Sequence, residues 1–359
     1  MSKKRVALLF GGVSSEHEVS RLSLCCVYEN LPKDKYEPVL VGITKQGRWF
    51  LYSGAPENIK DGSWEQDENN LPAFLSPDTS IHGLIIDRGG CLEPLYLDAV
   101  IPVLHGKNGE DGTMQGLLQL SGIPFVGCDA AASAVCMDKV FTNIMLQHAG
   151  IDEARFSWIY AYDYRKAPEN CVEKIERELG AYPVFVKPAN AGSSVGVSKA
   201  QNTAELKKAI EKAAKEDRKI LIEEAISGQE VECAVLGNDE PYASIVGEIA
   251  PSSDFYDYDD KYINGTSRLF IPAHLEETTA QKLRDTAIKA YRLLGCEGLA
   301  RVDFFVEHQS GRVLLNELNT LPGFTSISMY PKLMEACGIP CAELIDRLIM
   351  LALERAEKR

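Results

Sequence analysis

The feature that most constrains the fold is a pair of β-rich runs near the end of the 359-residue chain. Residues 301–307 and 313–319 flank the short connection Gln309-Ser310-Gly311. A three-residue connection that ends in glycine is a common hairpin loop, because glycine accepts the left-handed conformation that closes it. The pattern therefore predicts a β-hairpin in which the numbers of facing residues add to 620.

This register predicts a polar cluster at one end of one face of the hairpin. Asp303 would face Glu317 and Arg301 would face Asn319, and side chains two residues apart on a strand share a face. The opposite face would pack into a core through Val302, Phe304, Val306, Leu314 and Leu318.

The polar cluster allows three interpretations. Asp303, Glu317 and Asn319 form an all-oxygen set that suits Mg²⁺, whose remaining positions go to water and substrate phosphates. A positive charge between the two carboxylates would also relieve their repulsion. A solvated edge hairpin, or an ion pair between Arg301 and Asp303, would explain the same residues without a metal. The hairpin by itself leaves this choice open.

Composition argues against two classes of partner. The net charge of −14 disfavours nucleic acid as the main partner, because phosphate backbones need a basic surface. No apolar run reaches the length of a signal-peptide core or a transmembrane helix, so no membrane partner is expected. The ten cysteines form no CxxC pair and are expected to be reduced thiols of a cytoplasmic protein.

The first third of the chain has the pattern of an α/β unit. Residues 5–10 predict a buried strand that a glycine turn joins to a helix, with Ser14 or Ser15 as its cap and Glu18 reaching back. Glu16 lies in or beside the first helical turn, where the helix dipole favours a carboxylate. Capping would therefore explain Glu16 without any ligand.

A glycine-rich loop follows the strand predicted at 97–106 and contains His105. Glycines let the backbone approach a ligand closely, and α/β proteins bind ligands at the carboxyl ends of strands. An ordinary tight loop is the alternative. Residues 53–79, between the early strands, are polar and acidic and predict an exposed excursion.

Two stretches in the middle of the chain carry lysines of interest. Residues 128–150 predict a single helix that carries Lys139, which by itself would be solvated. Lys187 lies near the end of the strand predicted at 183–188, and the Gly/Ser loop 189–196 follows it. Backbone N–H groups, hydroxyls and an ammonium can form a phosphate cradle, although the spacing is not that of a P-loop.

The last third contains a polar, aromatic segment and a terminal helix. Residues 252–267 have no apolar period, and a loop of this length inside a compact protein is usually functional, often as a lid. The helix predicted from residue 341 has an apolar face, and its charged end is expected to be solvated.

With these pieces assembled, the chain resembles the ATP-grasp superfamily and, within it, the D-alanine–D-alanine ligases. The match runs nearly from end to end and rests on GGVSSEHEVS, HGKNGEDGTMQG, VKPANAGSSVGVSK, ILIEEAISGQE, DFYDYDDKY, GLARVDFF and NELNTLPGFTSISMYPK. Any single motif could arise by chance, whereas seven in the family's order are specific.

The resemblance implies a fold that combines α/β and α+β layers in three domains. These would be an N-terminal α/β domain with a parallel sheet (1–127), a central ATP-grasp subdomain (128–223) and a C-terminal ATP-grasp subdomain (224–359) with a lid at about 252–267. The last two would hold ATP between them. Homologues are commonly dimers, so the resemblance also implies a homodimer.

The resemblance further implies ligation of two D-alanines for peptidoglycan synthesis, with ATP converted to ADP and phosphate. The carboxylate of the first D-alanine would take the γ-phosphoryl group, and the amine of the second would attack the resulting acyl phosphate. Two Mg²⁺ ions, or Mn²⁺ in their place, would bridge the phosphates.

Site residues follow from the motifs by similarity to the family. Asp303, Glu317 and Asn319 match its metal ligands, and Arg301 and Gly323 match the groups beside the acyl phosphate and its oxyanion. The residues that match ATP contacts are Lys139, Lys187, Ser194, Glu223, Ile226, Glu230 and Phe255. Those that match amino-acid contacts are Glu16, Ser193, Tyr262 and His105 for the first D-alanine, Ser328 and Met329 for the second, and Lys261 on the lid.

Three alternatives remain open. A D-alanine–D-serine or D-lactate ligase shares most of the pattern, but Tyr262 matches the dipeptide-forming relatives and Met329 stands where D-serine ligases tend to carry arginine. Another ATP-grasp ligase would keep the nucleotide site without Glu16, Ser193 and Tyr262. A non-catalytic nucleotide-binding protein would not need the metal ligands or Arg301.

Overall fold

The computed structural model describes residues 2–192, 195–250 and 268–358. Three β-sheets follow one another along these ranges, and helices cover them. This arrangement confirms the predicted combination of α/β and α+β layers, whereas the boundaries at residues 127 and 223 remain predictions. None of the described helices combines the length and the apolar character needed to span a bilayer.

The first sheet is mixed, with three parallel strands and an antiparallel extension. Its strands are β1 (Lys4–Gly11), β2 (Tyr36–Ile43), β3 (Trp49–Tyr52), β4 (Leu71–Leu75), β5 (Gly83–Asp87), β6 (Leu92–Tyr96) and β7 (Ala99–Pro102), and its helices are α1 (His17–Asn30), α2 (Pro56–Asp61) and α3 (Thr113–Ser121). The order is β6-β5-β4-β3-β2-β1-β7. β7, β1 and β2 pair in parallel, as expected, and the other pairings are antiparallel.

The extension corrects the prediction of an exposed excursion at 53–79. This segment contains α2 and β4, and Trp64 within it is completely buried. A Cβ atom at Gly42 would lie 2.2 Å from the Trp64 ring, so the glycine makes room for the indole. The polar neighbours of Trp64 hide this anchor in the sequence, because a segment can be polar on average and still bury one large aromatic side chain.

The predicted cap of α1 is also wrong. The helix begins at His17, and neither Ser14 nor Ser15 caps it. The Ser14 hydroxyl instead accepts the N–H of Glu16, and Glu18 pairs with Lys45 rather than reaching back to the helix start. The carboxylate of Glu16 makes no capping hydrogen bond, so capping does not explain this residue.

The second sheet is antiparallel and has four strands. They are β8 (Phe156–Tyr160), β9 (Val184–Pro188), β10 (Ser198–Ala200) and β11 (Lys219–Glu224), in the order β10-β9-β11-β8. The helices of this part are α4 (Ala130–Met137), α5 (Lys139–His148), α6 (Ala161–Lys166), α7 (Pro168–Leu179) and α8 (Thr203–Ala213).

The prediction of a single helix over 128–150 is wrong, because one helix ends and another begins at Asp138. The Asp138 side chain accepts the backbone N–H groups of Val140 and Phe141 and so starts a new helix, α5. Lys139 is therefore the first residue of a capped helix rather than a surface residue within a longer one.

The third sheet is antiparallel and has five strands. They are β12 (Gly228–Gly237), β13 (Tyr242–Ala250), β14 (Arg268–Phe270), β15 (Gly298–Glu307) and β16 (Val313–Asn319), in the order β14-β13-β12-β15-β16. Helices α9 (Glu277–Leu293), α10 (Met329–Ala336) and α11 (Cys341–Lys358) complete the chain.

The β15–β16 hairpin has the predicted register at its polar end and a different one near its turn. Asp303 pairs with Glu317 and Arg301 with Asn319, which confirms the expectation. Near the turn the numbers of facing residues add to 619 rather than 620. The loop has four residues instead of three, so that Glu307 pairs with Arg312. A β-bulge at Asn316 restores the register before the polar end.

The bulge also corrects the predicted core face of the hairpin. Phe304 pairs with Leu315, so Val313 and Leu315, rather than Leu314, join Val302 and Phe304 in the core cluster. One extra residue moves every side chain beyond it to the other face of a strand.

Helix α11 packs against the first sheet, and its charged end is exposed as expected at Glu354 and at residues 356–358 but not at Arg355. Leu344 and Leu348 belong to the same hydrophobic cluster as Leu8 of β1. Arg355 is only 7% exposed, and its guanidinium donates 2.6 Å hydrogen bonds to the backbone carbonyls of Phe125 and Gly127. The arginine is buried because these carbonyls and the Glu297 carboxylate, 3.4 Å away, satisfy its charge and its donors.

Candidate active site

A cavity of about 330 Å³ lies where the three sheets meet. Every predicted site residue within the described part of the chain lines it: Glu16, His105, Lys139, Lys187, Glu223, Ile226, Glu230, Arg301, Asp303, Glu317, Asn319, Gly323, Ser328 and Met329. The predicted Ser193, Ser194, Phe255, Lys261 and Tyr262, and the lid at 252–267, lie outside the described residues.

The cavity is acidic. Its described lining contains eight carboxylates against four lysine and arginine side chains. A polyphosphate ligand would be repelled by this excess unless divalent cations entered with it, because like charges in a partly dry cavity interact strongly.

Arg301 occupies the centre of the polar cluster on β15. Its guanidinium forms two hydrogen bonds with Asp303, of 2.7 and 2.6 Å, and lies 3.0 Å from Glu232 on β12. Burial opposes the charged form, but the nearby Asp303 and Glu232 carboxylates outweigh it and raise the pKa of Arg301. The ion pair that was one interpretation of the hairpin therefore exists in this structure.

The other three polar residues of the hairpin fit a cation site in their chemistry. Asp303 and Glu317 lie on facing strand positions, and the Asn319 side-chain oxygen accepts the N–H of Leu321 at 3.0 Å, which fixes the orientation of the amide. Two carboxylates and an amide suit Mg²⁺. Among the described residues no three His, Cys, Asp or Glu side chains form a metal-binding group, so other ligands would have to complete the coordination.

The two lysines of the cavity are both held by groups of the chain. Lys187 on β9 lies 2.6 Å from the Glu223 carboxylate on β11, and Lys139 donates a 3.0 Å hydrogen bond to the carbonyl of Ala191 and lies 3.5 Å from Glu317. Burial acts to lower the pKa of Lys187, but the charge and hydrogen bond of Glu223 outweigh it and raise the pKa. Lys187 therefore remains charged near neutral pH.

Glu16 marks the opposite end of the cavity, where the first sheet approaches the loop after β9. Its side chain is 6% exposed. A Cβ atom at Gly106 would lie 2.4 Å from the Glu16 carboxylate, and one at Gly192 would lie 2.8 Å from it. Both glycines are therefore needed for this carboxylate to sit between the two loops.

His105 is buried beside Glu16 and is held on both ring nitrogens. One nitrogen lies 3.0 Å from the Ser23 hydroxyl, and the other lies 3.1 Å from the Leu321 carbonyl and 3.4 Å from Glu110. Burial favours the neutral ring, but the hydrogen bond and charge of Glu110, with the charge of Glu16, raise the pKa of His105.

The segment after β16 supplies the last part of the lining. A Cβ atom at Gly323 would lie 2.8 Å from the Ser328 hydroxyl, which itself accepts the N–H of Thr325 at 3.0 Å. Met329 begins α10 and is 5% exposed, with its sulfur close to Gly247.

One residue that lines the cavity and two residues near Glu223 were not predicted. Glu232 is two residues after Glu230 on β12, and this spacing could have indicated that both carboxylates share a face. Asn143, one turn after Lys139 on α5, donates a 3.1 Å hydrogen bond to Glu223. Glu153 lies near Glu223 with both carboxyl oxygens buried and without hydrogen bonds, and no signal in the sequence distinguishes it.

Two family models match the chain. The model described as "D-ala D-ala ligase N-terminus" matches residues 5–128, and the one described as "D-ala D-ala ligase C-terminus" matches residues 145–350. Together they account for most of the chain.

Curated proteins and solved structures are also similar over nearly the full length. A D-alanine–D-alanine ligase of Caldicellulosiruptor bescii is 49% identical over 100% of this chain and 98% of its own, and one of Acetivibrio thermocellus is 51% identical over 98% and 96%. The VanG D-Ala:D-Ser ligase of Enterococcus faecalis has a TM-score of 0.89 and 40% identity, covering 98% of this chain and 100% of its own. The D-alanine–D-alanine ligase of Coxiella burnetii has a TM-score of 0.85 and 34% identity, covering 99% and 97%.

Proposed function

The chain belongs to the D-alanine–D-alanine ligase family, and from that premise we propose that it joins two D-alanines for peptidoglycan synthesis while converting ATP to ADP and phosphate. One observation supports the proposal most strongly. Lysines suited to phosphates and a carboxylate suited to an amino-acid ammonium line the same cavity, with the β15–β16 carboxylates in the same lining.

At the nucleotide end, Lys139 and Lys187 bind the phosphates of ATP. Lys187 exchanges its internal partner Glu223 for a phosphate oxygen, and Glu223 is then available to the adenine. Glu230 takes the ribose and Ile226 packs against the base. The exchange is possible because Lys187 stays charged while it changes partners.

Asp303, Glu317 and Asn319 would hold two Mg²⁺ ions. Mn²⁺ could take the place of Mg²⁺. A divalent cation bound there supplies positive charge to the phosphates and offsets the acidic lining. Arg301 remains beside Asp303 and donates to the oxyanion that develops on the acyl group, together with the backbone N–H of Gly323.

At the amino-acid end, Glu16 binds the ammonium group of the first D-alanine, close to His105. The carboxylate of this D-alanine attacks the γ-phosphorus, and the amine of the second D-alanine attacks the resulting acyl phosphate. Ser328 receives the carboxylate of the second D-alanine, and Met329 lies beside it. Ser193, Ser194, Phe255, Lys261 and Tyr262 keep their expected roles as part of this proposal.

The proposal also includes a cytoplasmic homodimer. All ten cysteines lie among the described residues and are free thiols, which is consistent with a reducing compartment. Size-exclusion chromatography with light scattering measures the subunit number directly.

The direct test measures ADP release and product together. Purified protein is incubated with ATP, Mg²⁺ and D-alanine, with L-alanine as the matched control, and the product is identified by mass spectrometry. ADP release that depends on D-alanine, with one dipeptide formed per ADP, is the expected result. Binding of ATP without ADP release would favour the non-catalytic alternative, and ADP release that does not depend on D-alanine would contradict D-alanine as the substrate.

The second candidate is a D-alanine–D-serine ligase, and the similarity to the VanG structure favours testing it. The cavity presents Met329, an apolar side chain, on the side proposed for the second amino acid. An apolar wall gives no hydrogen bond to a serine hydroxyl, so we expect D-alanine to be preferred over D-serine as the second substrate. Equimolar D-alanine and D-serine, and separately D-lactate, would reveal the preference, and a dominant D-alanyl-D-serine product would overturn the assignment.

A further inference from the structure

A buried ion pair lies directly behind Lys139 and is not part of the cavity lining. The Lys219 ammonium is 2.5 Å from the Asp138 carboxylate, and the two residues are only 3% and 5% exposed. The same ammonium lies 3.5 Å from the centroid of the Phe141 ring. Both charges are therefore largely removed from water.

Asp138 connects three parts of the nucleotide end. One carboxylate oxygen caps α5 through the N–H groups of Val140 and Phe141, at 3.1 and 3.2 Å. The other oxygen accepts the Lys219 ammonium and, at 3.3 Å, the side-chain amide of Asn190.

Asn190 is the middle residue of a segment that also contacts Lys139. The backbone N–H of Lys139 donates to the Ala189 carbonyl at 3.1 Å, and its ammonium donates to the Ala191 carbonyl at 3.0 Å. The position of Lys139 thus depends on two contacts with residues 189–191, and Asp138 holds the residue between them.

A buried ion pair of this kind is not explained by stability alone. Replacing such a pair by apolar residues of similar volume is often neutral or stabilising, because desolvation offsets the attraction between the charges. Asp138 is adjacent in sequence to Lys139, so an uncompensated negative charge there would oppose the binding of phosphates beside Lys139.

We propose that Asp138 and Lys219 form a positioning pair for the nucleotide phosphates. Asp138 fixes the start of α5 and, together with Asp217, holds Asn190, and Lys219 cancels the charge of Asp138 so that the charge of Lys139 acts on the ligand. This inference rests on the proposed function only in taking a nucleotide polyphosphate as the ligand.

The test is a double-mutant cycle on Mg·ADP binding, measured by calorimetry with the full chain. Lys219→Met keeps most of the side-chain volume and leaves the Asp138 charge uncompensated, so binding should weaken roughly tenfold. Asp138→Asn keeps an oxygen for the cap and removes the charge. The double variant is neutral and capped, so it should bind within about threefold of the natural protein.

Lys215→Met, at an exposed lysine shortly before β11, is the matched control and should leave binding unchanged. Turnover adds a second measurement, in which Lys219→Met should raise the KM for ATP while the KM for D-alanine stays within about twofold. If the pair were merely structural, its loss would lower the melting temperature without raising the KM for ATP more than the KM for D-alanine.

Two outcomes would overturn the inference. In one, Lys219→Met binds Mg·ADP as tightly as the natural protein; in the other, the double variant binds as weakly as Lys219→Met. If Lys219→Met does not fold, Asp138→Asn still tests the proposal. Retained Mg·ADP binding by Asp138→Asn supports a charge on Asp138 that has to be cancelled, and a tenfold loss of binding contradicts the proposal. ADP binding needs no D-alanine, so a failure of the ligase assignment would be seen separately, as the absence of dipeptide from the natural protein.

Discussion

The two ends of the cavity hold their charges in different ways. At the nucleotide end, Lys187 and Arg301 are ion-paired with carboxylates of the chain, at 2.6 Å for Lys187–Glu223 and 2.6 Å for Arg301–Asp303. At the amino-acid end, the Glu16 carboxylate lies against two glycines, with His105 nearby. This difference supports an exchange of partners by Lys187 at the proposed nucleotide end and a close steric fit around one cation at the proposed amino-acid end.

The largest effect is expected from Glu317→Gln, which tests the exchange at the nucleotide end. An amide is neutral and is a poorer ligand for Mg²⁺, so kcat should fall at least about 100-fold. Steady-state kinetics over a range of Mg²⁺ concentrations measure the loss.

Glu307→Gln on the same hairpin is the control for this variant. Glu307 lies at the far end of β15 and pairs with Arg312, so its replacement should change kcat less than twofold. An unchanged kcat for Glu317→Gln at saturating Mg²⁺ would remove Glu317 from the proposed cation site.

A smaller and more selective effect is expected from Glu16→Gln at the other end. Loss of a buried partner for the substrate ammonium should raise the KM for the first D-alanine by roughly 30-fold, with little change in ADP affinity. Glu18→Gln, in the first turn of α1, is the control, because Glu18 faces Lys45 outside the cavity. A rise only in the KM for ATP would mean that Glu16 belongs to the nucleotide end.

Gly192→Ala tests the steric fit without changing any charge. The added methyl group would lie 2.8 Å from the Glu16 carboxylate and would displace it. A displacement of this kind typically costs about 1 kcal/mol, so the KM for the first D-alanine should rise roughly fivefold while ADP affinity stays the same. An unchanged KM for D-alanine would show that the close approach of the two loops is not needed for binding.

The smallest expected effect concerns stability and uses Glu153, which lies near the nucleotide end. Burial, with the charge of Glu223, raises the pKa of Glu153 from 4.5 to about 8, and neither of its oxygens has a hydrogen bond. Between these pH values the unfolded chain releases a proton that the folded protein keeps, so the folded state loses stability as the pH rises.

Glu153→Gln is neutral at every pH and should therefore melt a few degrees higher than the natural protein at pH 8.5, with almost no difference at pH 4.5. Differential scanning calorimetry measures the shift, and Glu173→Gln, at an exposed position on α7, is the control. An equal shift at both pH values would show that protonation of Glu153 is not responsible.

The sequence predicted the polar end of the hairpin correctly, but partly through two deviations that cancel. The loop takes one more residue from the end of β15 than expected, and the bulge at Asn316 adds one residue to β16. Neither is visible in a local pattern, because a bulge depends on how a strand packs against the rest of its sheet. The core cluster contains Leu315 rather than the predicted Leu314 for the same reason.

Contacts between distant segments limited the other predictions. Every described residue that the family motifs identified lines the cavity, yet Glu232 was missed, and the contacts Arg301–Glu232 and Asn143–Glu223 required the fold. The burial of Trp64 also depends on a partner distant in sequence, Gly42, whereas the break at Asp138 has a local cause, the cap that its side chain makes on α5. Local propensity cannot supply such partners.

The packing of α11 has a consequence for how the chain is made. A ribosome releases the first sheet hundreds of residues before it releases Arg355 and the apolar face of the last helix, which share one core with β1. Until α11 has been synthesised, the nascent first domain leaves that face uncovered, where a molecular chaperone can bind it. Helix α11 thus determines when the earlier first sheet reaches its mature form.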